Sequence, residues 1–137
     1  MVIAGPASSV FAVFKPSQVL LPFPGDIHSD HRVAFEAASA CTKWFRYSSI
    51  KRVLAYETLS ETDFSIDPRY RAFQPNVFVD ISSYLDQKLS LLSIYESEMG
   101  SSPFPRSEET VRALSVVRGS QAGFRHAEAF YLVKESQ

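Results

Sequence analysis

Within Asp26-Ile27-His28-Ser29-Asp30-His31-Arg32, two of the chain's three histidines and two aspartates fall inside seven positions. Imidazoles and carboxylates ligate divalent metals or move protons near neutral pH. His28 and His31 are three residues apart, so both rings can face one point if the backbone turns there. A plainer alternative stays open, in which Asp30 caps a helix and the two imidazoles are polar loop residues. A catalytic zinc site takes about three protein ligands and an open position for water. His28, Asp30 and His31 stand too close together in sequence for all of them to be assigned to one ion. A further donor would come from His126, Glu57, Asp63 or Asp80.

The cluster sits at a junction of elements. The apolar run Val19-Leu20-Leu21-Pro22 reads as a strand leading in, and a helical pattern follows from about Val33. Open α/β proteins bind ligands in the crevice beyond the carboxyl ends of strands. The spacing therefore predicts the histidines at such an end. Glu57 ends a second strand-like run, Arg52–Glu57, and shares that edge if the two strands are parallel.

The remaining elements follow from periodicity and punctuation. Ser9–Phe14 reads as the end of a helix stopped by Pro16. Gln18–Phe23 is a buried strand closed by Pro22, Pro24 and Gly25. Ser29 or Asp30 caps the next helix, with Val33, Ala37, Ala40, Cys41 and Trp44 at helical spacing on its buried face. Asp67-Pro68-Arg69-Tyr70 is turn chemistry, and Asn76–Ile81 is a third strand. Ser83 caps a helix with the stripe Leu85, Leu89, Leu92, Tyr95 and Met99, ended by a left-handed Gly100. Ser107-Glu108-Glu109 opens a last helix with buried Val111, Leu114 and Val117. Ala127–Val133 is a final strand.

This alternation predicts a three-layer α/β/α Rossmann-like domain with a mostly parallel sheet. One domain would span residues 1–137. Half a helix feeding a buried strand is an odd start for that fold, so the chain reads as a C-terminal part that lacks the N-terminal strands.

Composition narrows the function. A net charge of −1 and a pI near 6.3 leave no electrostatic footprint for nucleic acid. No apolar run reaches membrane-spanning length. Met1–Phe14 has no basic start, which argues against a secretory signal. A single cysteine, Cys41, excludes an internal disulfide and suits the cytoplasm. The chain has no G-x-S-x-G elbow, P-loop or G-x-G-x-x-G.

Several stretches together resemble the PIG-L/LmbE-type zinc-dependent de-N-acetylases. Leu21–Arg32 is similar to that family's second signature, H-P-D-H, with Ser29 in place of proline. Tyr56-Glu57-Thr58-Leu59-Ser60-Glu61-Thr62 resembles its Y-E segment. The likeness continues through Phe73–Ile81, Leu85-Asp86-Gln87-Lys88, Tyr95-Glu96-Ser97-Glu98, Arg118-Gly119 and Ala127-Glu128-Ala129-Phe130. It covers roughly Val10 to Glu135 in unchanged order.

The resemblance implies removal of an N-acetyl group from an N-acetylglucosamine-type conjugate. By it, His31 is a zinc ligand, His28 stabilises the charged transition state and Asp30 supports the site. Glu57 and His126 would contact a small amino-sugar substrate. The single cysteine, not the resemblance, points to the cytoplasm, and a homo-oligomer stays open. Nothing in Met1–Pro16 resembles the family's first signature, A-H-P-D-D-E, which supplies the other ligands and the general base. The chain on its own would then hold zinc weakly. The alternative is a truncated or non-catalytic α/β module kept for binding or assembly.

Overall fold

Gln18–Pro22 forms β1 and Arg52–Tyr56 forms β2 in the computed structural model, which describes residues 4–69 and 72–137. The two strands pair in parallel, from Gln18↔Arg52 to Pro22↔Tyr56. Parallel neighbours need a crossover, and α2 (Ser29–Ser39) lies on it. Side chains alternate between the faces of a strand. Val19 and Leu21 are accordingly buried and Leu20 is half exposed. Val53, Leu54 and Ala55 are all buried, as consecutive residues are only in a strand covered on both faces.

The second neighbour is β4 (Ala127–Glu135), antiparallel to β2 from Arg52↔Glu135 to Tyr56↔Phe130. With β3 (Val77–Asp80), four strands make one open sheet in the order β1-β2-β4-β3. The α/β class agrees with expectation. The antiparallel β4 makes the sheet mixed where a mostly parallel one was expected. Apolar alternation carries no information about strand direction; long-range pairing sets it.

The chain divides into two compact units. Pro75–Ala129 forms one, and the segments up to Gln74 and from Phe130 form the other. In the latter, Val19, Leu21, Ala38, Ile50 and Val53 make the core, with Phe11, Phe35 and Tyr47 packed against it. α1 (Ala4–Phe14) packs on α2. In Pro75–Ala129, α3 (Leu85–Leu92) and α4 (Glu108–Ser120) pack together, and α4 packs on β3.

Helix faces depart from the expected stripes. α2 ends at Ser39, short of Ala40 and Trp44; its inward residues are Phe35 and Ala38, while Val33, Ala40 and Trp44 are exposed. Phe35 packs against the core that contains Val19, Leu21 and Val53, and this contact turns its side of the helix inward. Cys41 is buried as expected. α3 ends at Leu92, begins after Tyr84 rather than Ser83, and leaves Tyr95 exposed. Gly123 rather than Gly100 takes the left-handed conformation, at φ 77°. Ser107 caps α4 by accepting from the Thr110 N–H at 3.2 Å. The buried line of α4 is Val111, Ser115 and Gly119, and Val117 is exposed. Of the expected Asp67–Tyr70 turn, Tyr70 lies outside the described residues, as do Met1–Ile3 of the expected leaderless start.

Candidate functional site

β1 stops at Pro22, and a tight turn follows in which the Asp26 N–H donates to the Phe23 carbonyl at 3.2 Å. Gly25 suits this turn because a Cβ there would run into the Phe23 ring. That ring is itself held edge-on against Phe73, with centroids 5.1 Å apart. The chain then enters α2 through His28, which is extended at φ −75° and ψ 124°. His28, not Ser29 or Asp30, is the N-cap: its Nδ1 accepts from the Asp30 N–H at 3.3 Å. The first-turn N–H groups of a helix have no partner within it, so an acceptor there stabilises the start.

His31 follows on the first turn. Its Nδ1 lies 2.7 Å from Asp26 Oδ2. The Asp26 side chain is fully buried, while that of His31 keeps about a quarter of its surface exposed. The two imidazole centroids are 5.7 Å apart. Asp30 points outward: its side chain is 84% exposed and its Oδ2 is 3.8 Å from His28 Nδ1.

The loop after β2 meets this cluster. Parallel pairing puts the ends of β1 and β2 at one edge, and the Phe23 N–H donates to the Tyr56 carbonyl at 3.0 Å. Glu57 leaves the sheet at that edge. Farther along, Thr62 Oγ1 donates to Asp26 Oδ1 at 2.6 Å, and the Ile27 N–H donates to the Glu61 carbonyl at 3.1 Å. Burial pushes the Asp26 carboxyl above its ordinary range, and the hydrogen bonds from His31 and Thr62 pull the other way. Tyr56 is raised too, first by burial and then by the nearby Asp26 charge, so its phenol stays protonated.

His126 belongs to the Pro75–Ala129 unit, and its contacts are there. Its Nδ1 is 2.9 Å from Ser115 Oγ, and its backbone N–H donates to Ser82 Oγ at 3.2 Å. Asp26 lies within the cluster visible in the sequence but has no role assigned there, and Thr62 lies outside that cluster. The signal for Asp26 was its place in a Gly-Asp turn just before the histidines. Nothing local to Thr62 announces a partner so far away in the chain.

Among the described residues, no three His, Cys, Asp or Glu side chains gather into a group that could hold a metal ion. His31 suits one ligand position, because a ligating imidazole is usually held through its other ring nitrogen by a carboxylate. A catalytic zinc site takes about three ligands, so the described residues do not complete one. No helix among them is long and apolar enough to cross a membrane.

A site at the carboxyl edge of an open α/β sheet is a ligand-binding arrangement, and similar proteins give it context. No family model matches the chain. It is 30% identical over 127 residues to the diacetylchitobiose deacetylase of Thermococcus kodakarensis, covering 87% of this chain and 46% of that protein. The chain thus spans about half the length of the curated relative it matches. The N,N′-diacetylchitobiose deacetylase from Pyrococcus horikoshii, solved with its inhibitor MPG, has the same fold, with a TM-score of 0.72 and 18% identity over 96% of this chain and 51% of that one. The conserved protein TT1542 from Thermus thermophilus superposes with a TM-score of 0.74 and 21% identity over 98% of this chain and 60% of that one. The zinc-inhibited form of teicoplanin deacetylase Orf2 gives 0.68 and 20% over 98% of this chain and 51% of that one.

Proposed function

We propose that this chain is part of a PIG-L/LmbE-type de-N-acetylase that hydrolyses the N-acetyl amide of an N-acetylglucosamine-type conjugate. The observation that carries this reading is the placement of His28 and His31 at the shared carboxyl edge of β1 and β2, with His31 anchored on buried Asp26. The similarity to a diacetylchitobiose deacetylase supports the substrate class. A small amino sugar is the partner, and a cytoplasmic location belongs to the same reading.

The roles divide by geometry. His31 is the candidate zinc ligand. His28 is the candidate donor to a carbonyl oxygen that gains charge, a role that favours a preorganised N–H. Asp30 acts only beside His28, and support of His31 passes to Asp26. Glu57 leaves the same edge and is the candidate substrate contact there; His126 keeps that role as a proposal from the resemblance alone. Zinc supplies a bound water of lowered pKa in such enzymes. The described residues gather fewer than the three ligands it takes, so no step is routed through the metal.

That shortage favours the second reading, a non-catalytic α/β module for binding or assembly. The test is acetate release from N,N′-diacetylchitobiose with added zinc, by Met1–Gln137 and by the natural protein that carries it. Release that His31→Ala abolishes supports the deacetylase. Release that survives His31→Ala, or no release from either protein, overturns it.

A further inference from the structure

His28 and His31 carry different partners on the same ring nitrogen. His28 Nδ1 faces a backbone N–H, that of Asp30, at 3.3 Å. An amide N–H only donates, so this Nδ1 must hold a lone pair, and the ring proton of neutral His28 sits on Nε2. His31 Nδ1 faces a carboxylate oxygen, Asp26 Oδ2, at 2.7 Å.

The Thr58 N–H donates to Thr62 Oγ1 at 2.8 Å, which leaves the single Thr62 hydroxyl proton to face Asp26 Oδ1 at 2.6 Å. Asp26 therefore already accepts at one oxygen. An ionised carboxylate only accepts, so its second oxygen calls for a proton on His31 Nδ1.

We infer that His28 and His31 are held as opposite tautomers, His31 by Asp26 and Thr62 with a free lone pair on Nε2, and His28 by the helix cap with a proton on Nε2. Asp26 and Thr62 are then positioning residues. The pair offers one electron-pair donor and one hydrogen-bond donor side by side, with the rings 5.7 Å apart. What those nitrogens face depends on the deacetylase reading; the tautomers do not. A cation at His31 and a developing oxyanion at His28 would each meet the nitrogen it needs with no proton to move first.

The experiment is a long-range proton–nitrogen correlation spectrum of Met1–Gln137 with isotope-labelled histidine. It is recorded without metal or substrate at about pH 8.5, above the ordinary imidazole range. His31 is expected to be protonated at Nδ1 and His28 at Nε2. Asp26→Ala should move His31 toward the Nε2–H form that a free imidazole prefers and leave His28 unchanged. Thr62→Val should weaken the His31 preference, and Thr62→Ser should restore it. The same tautomer at both residues in the wild-type spectrum overturns the inference even if a variant fails to fold. So does a His31 signal that ignores Asp26→Ala and Thr62→Val. Opposite tautomers in a protein that releases no acetate would remove the deacetylase reading and leave this inference standing.

Discussion

Thr62 Oγ1 donates to Asp26 Oδ1 at 2.6 Å across 36 residues of chain. This contact ties the loop after β2 to the turn after β1, at the edge where the two parallel strands end. The Asp26 carboxylate is buried and serves both Thr62 and His31. One side chain thus sets the position of two loops and the orientation of a candidate ligand.

Removing that carboxylate should destabilise the protein. Asp26→Ala leaves buried donors without an acceptor, a cost of about 1–3 kcal/mol for each group so stranded. Asp26→Asn keeps one acceptor and should lose less. Urea denaturation followed by circular dichroism reads both. An Asp26→Ala midpoint equal to wild type would mean that the turn is not held by this residue.

In α3, Leu89 is buried and Gln87 is exposed. Leu89→Ala should cost about 2–5 kcal/mol, as truncation of a packed core leucine does. Gln87→Ala should stay within about 0.5 kcal/mol of wild type. Equal denaturation midpoints for the two variants would place the wrong face inward.

Gly119→Ala should be destabilising although alanine is the better helix former by about 1 kcal/mol. A Cβ at Gly119 would stand 2.6 Å from the Phe124 carbonyl oxygen and 3.0 Å from Arg125 backbone atoms. Backbone cannot swing aside as a side chain can, and overpacking costs about 1–3 kcal/mol. A raised melting temperature for Gly119→Ala would refute this close approach.

Asp67 gives a prediction in pH. Hydrogen bonds from Arg69 hold its carboxyl down to about 2, from an ordinary value of 3.8. A lowered folded-state pKa favours folding while the group is charged. The contribution is present above 3.8 and is lost as pH falls from there to about 2. A carbon-detected titration of the Asp67 carboxyl should show the low value, and Arg69→Ala should return it toward the ordinary one. An unmoved titration in Arg69→Ala would show that the pair does not form.

Zinc should bind Met1–Gln137 weakly in calorimetry, because no set of three ligands gathers among the described residues. His31→Ala should remove what binding there is, and His28→Ala should leave it. Tight stoichiometric zinc would require ligands that the described geometry does not bring together.

Much of this architecture is legible in the residues themselves. Alternation and β-branching mark β1 to β4 to within a few positions. The proline-glycine stop before Asp26 puts the histidines just past a strand end, where they are found. The Ser107 cap can be read from a hydroxyl followed by two acids. These features are local, with each residue's preference deciding its own neighbourhood.

Helix rotation and strand direction are not local. The spacing in α2 allows either Val33 or Phe35 to face inward, and packing against Val19, Leu21 and Val53 chooses Phe35. The cap passes from Asp30 to His28 because the side chain that can accept is the one placed before the first turn. The direction of β4 follows from its pairing with β2, not from its own residues. The sequence by itself determined the α/β class, the strand-end position of His28 and His31, and the likeness to sugar de-N-acetylases. Only the tertiary structure decided that buried Asp26, with Thr62 behind it, holds His31. A hydrogen bond spanning 36 residues depends on where two loops end in space, and no spacing along the chain encodes that.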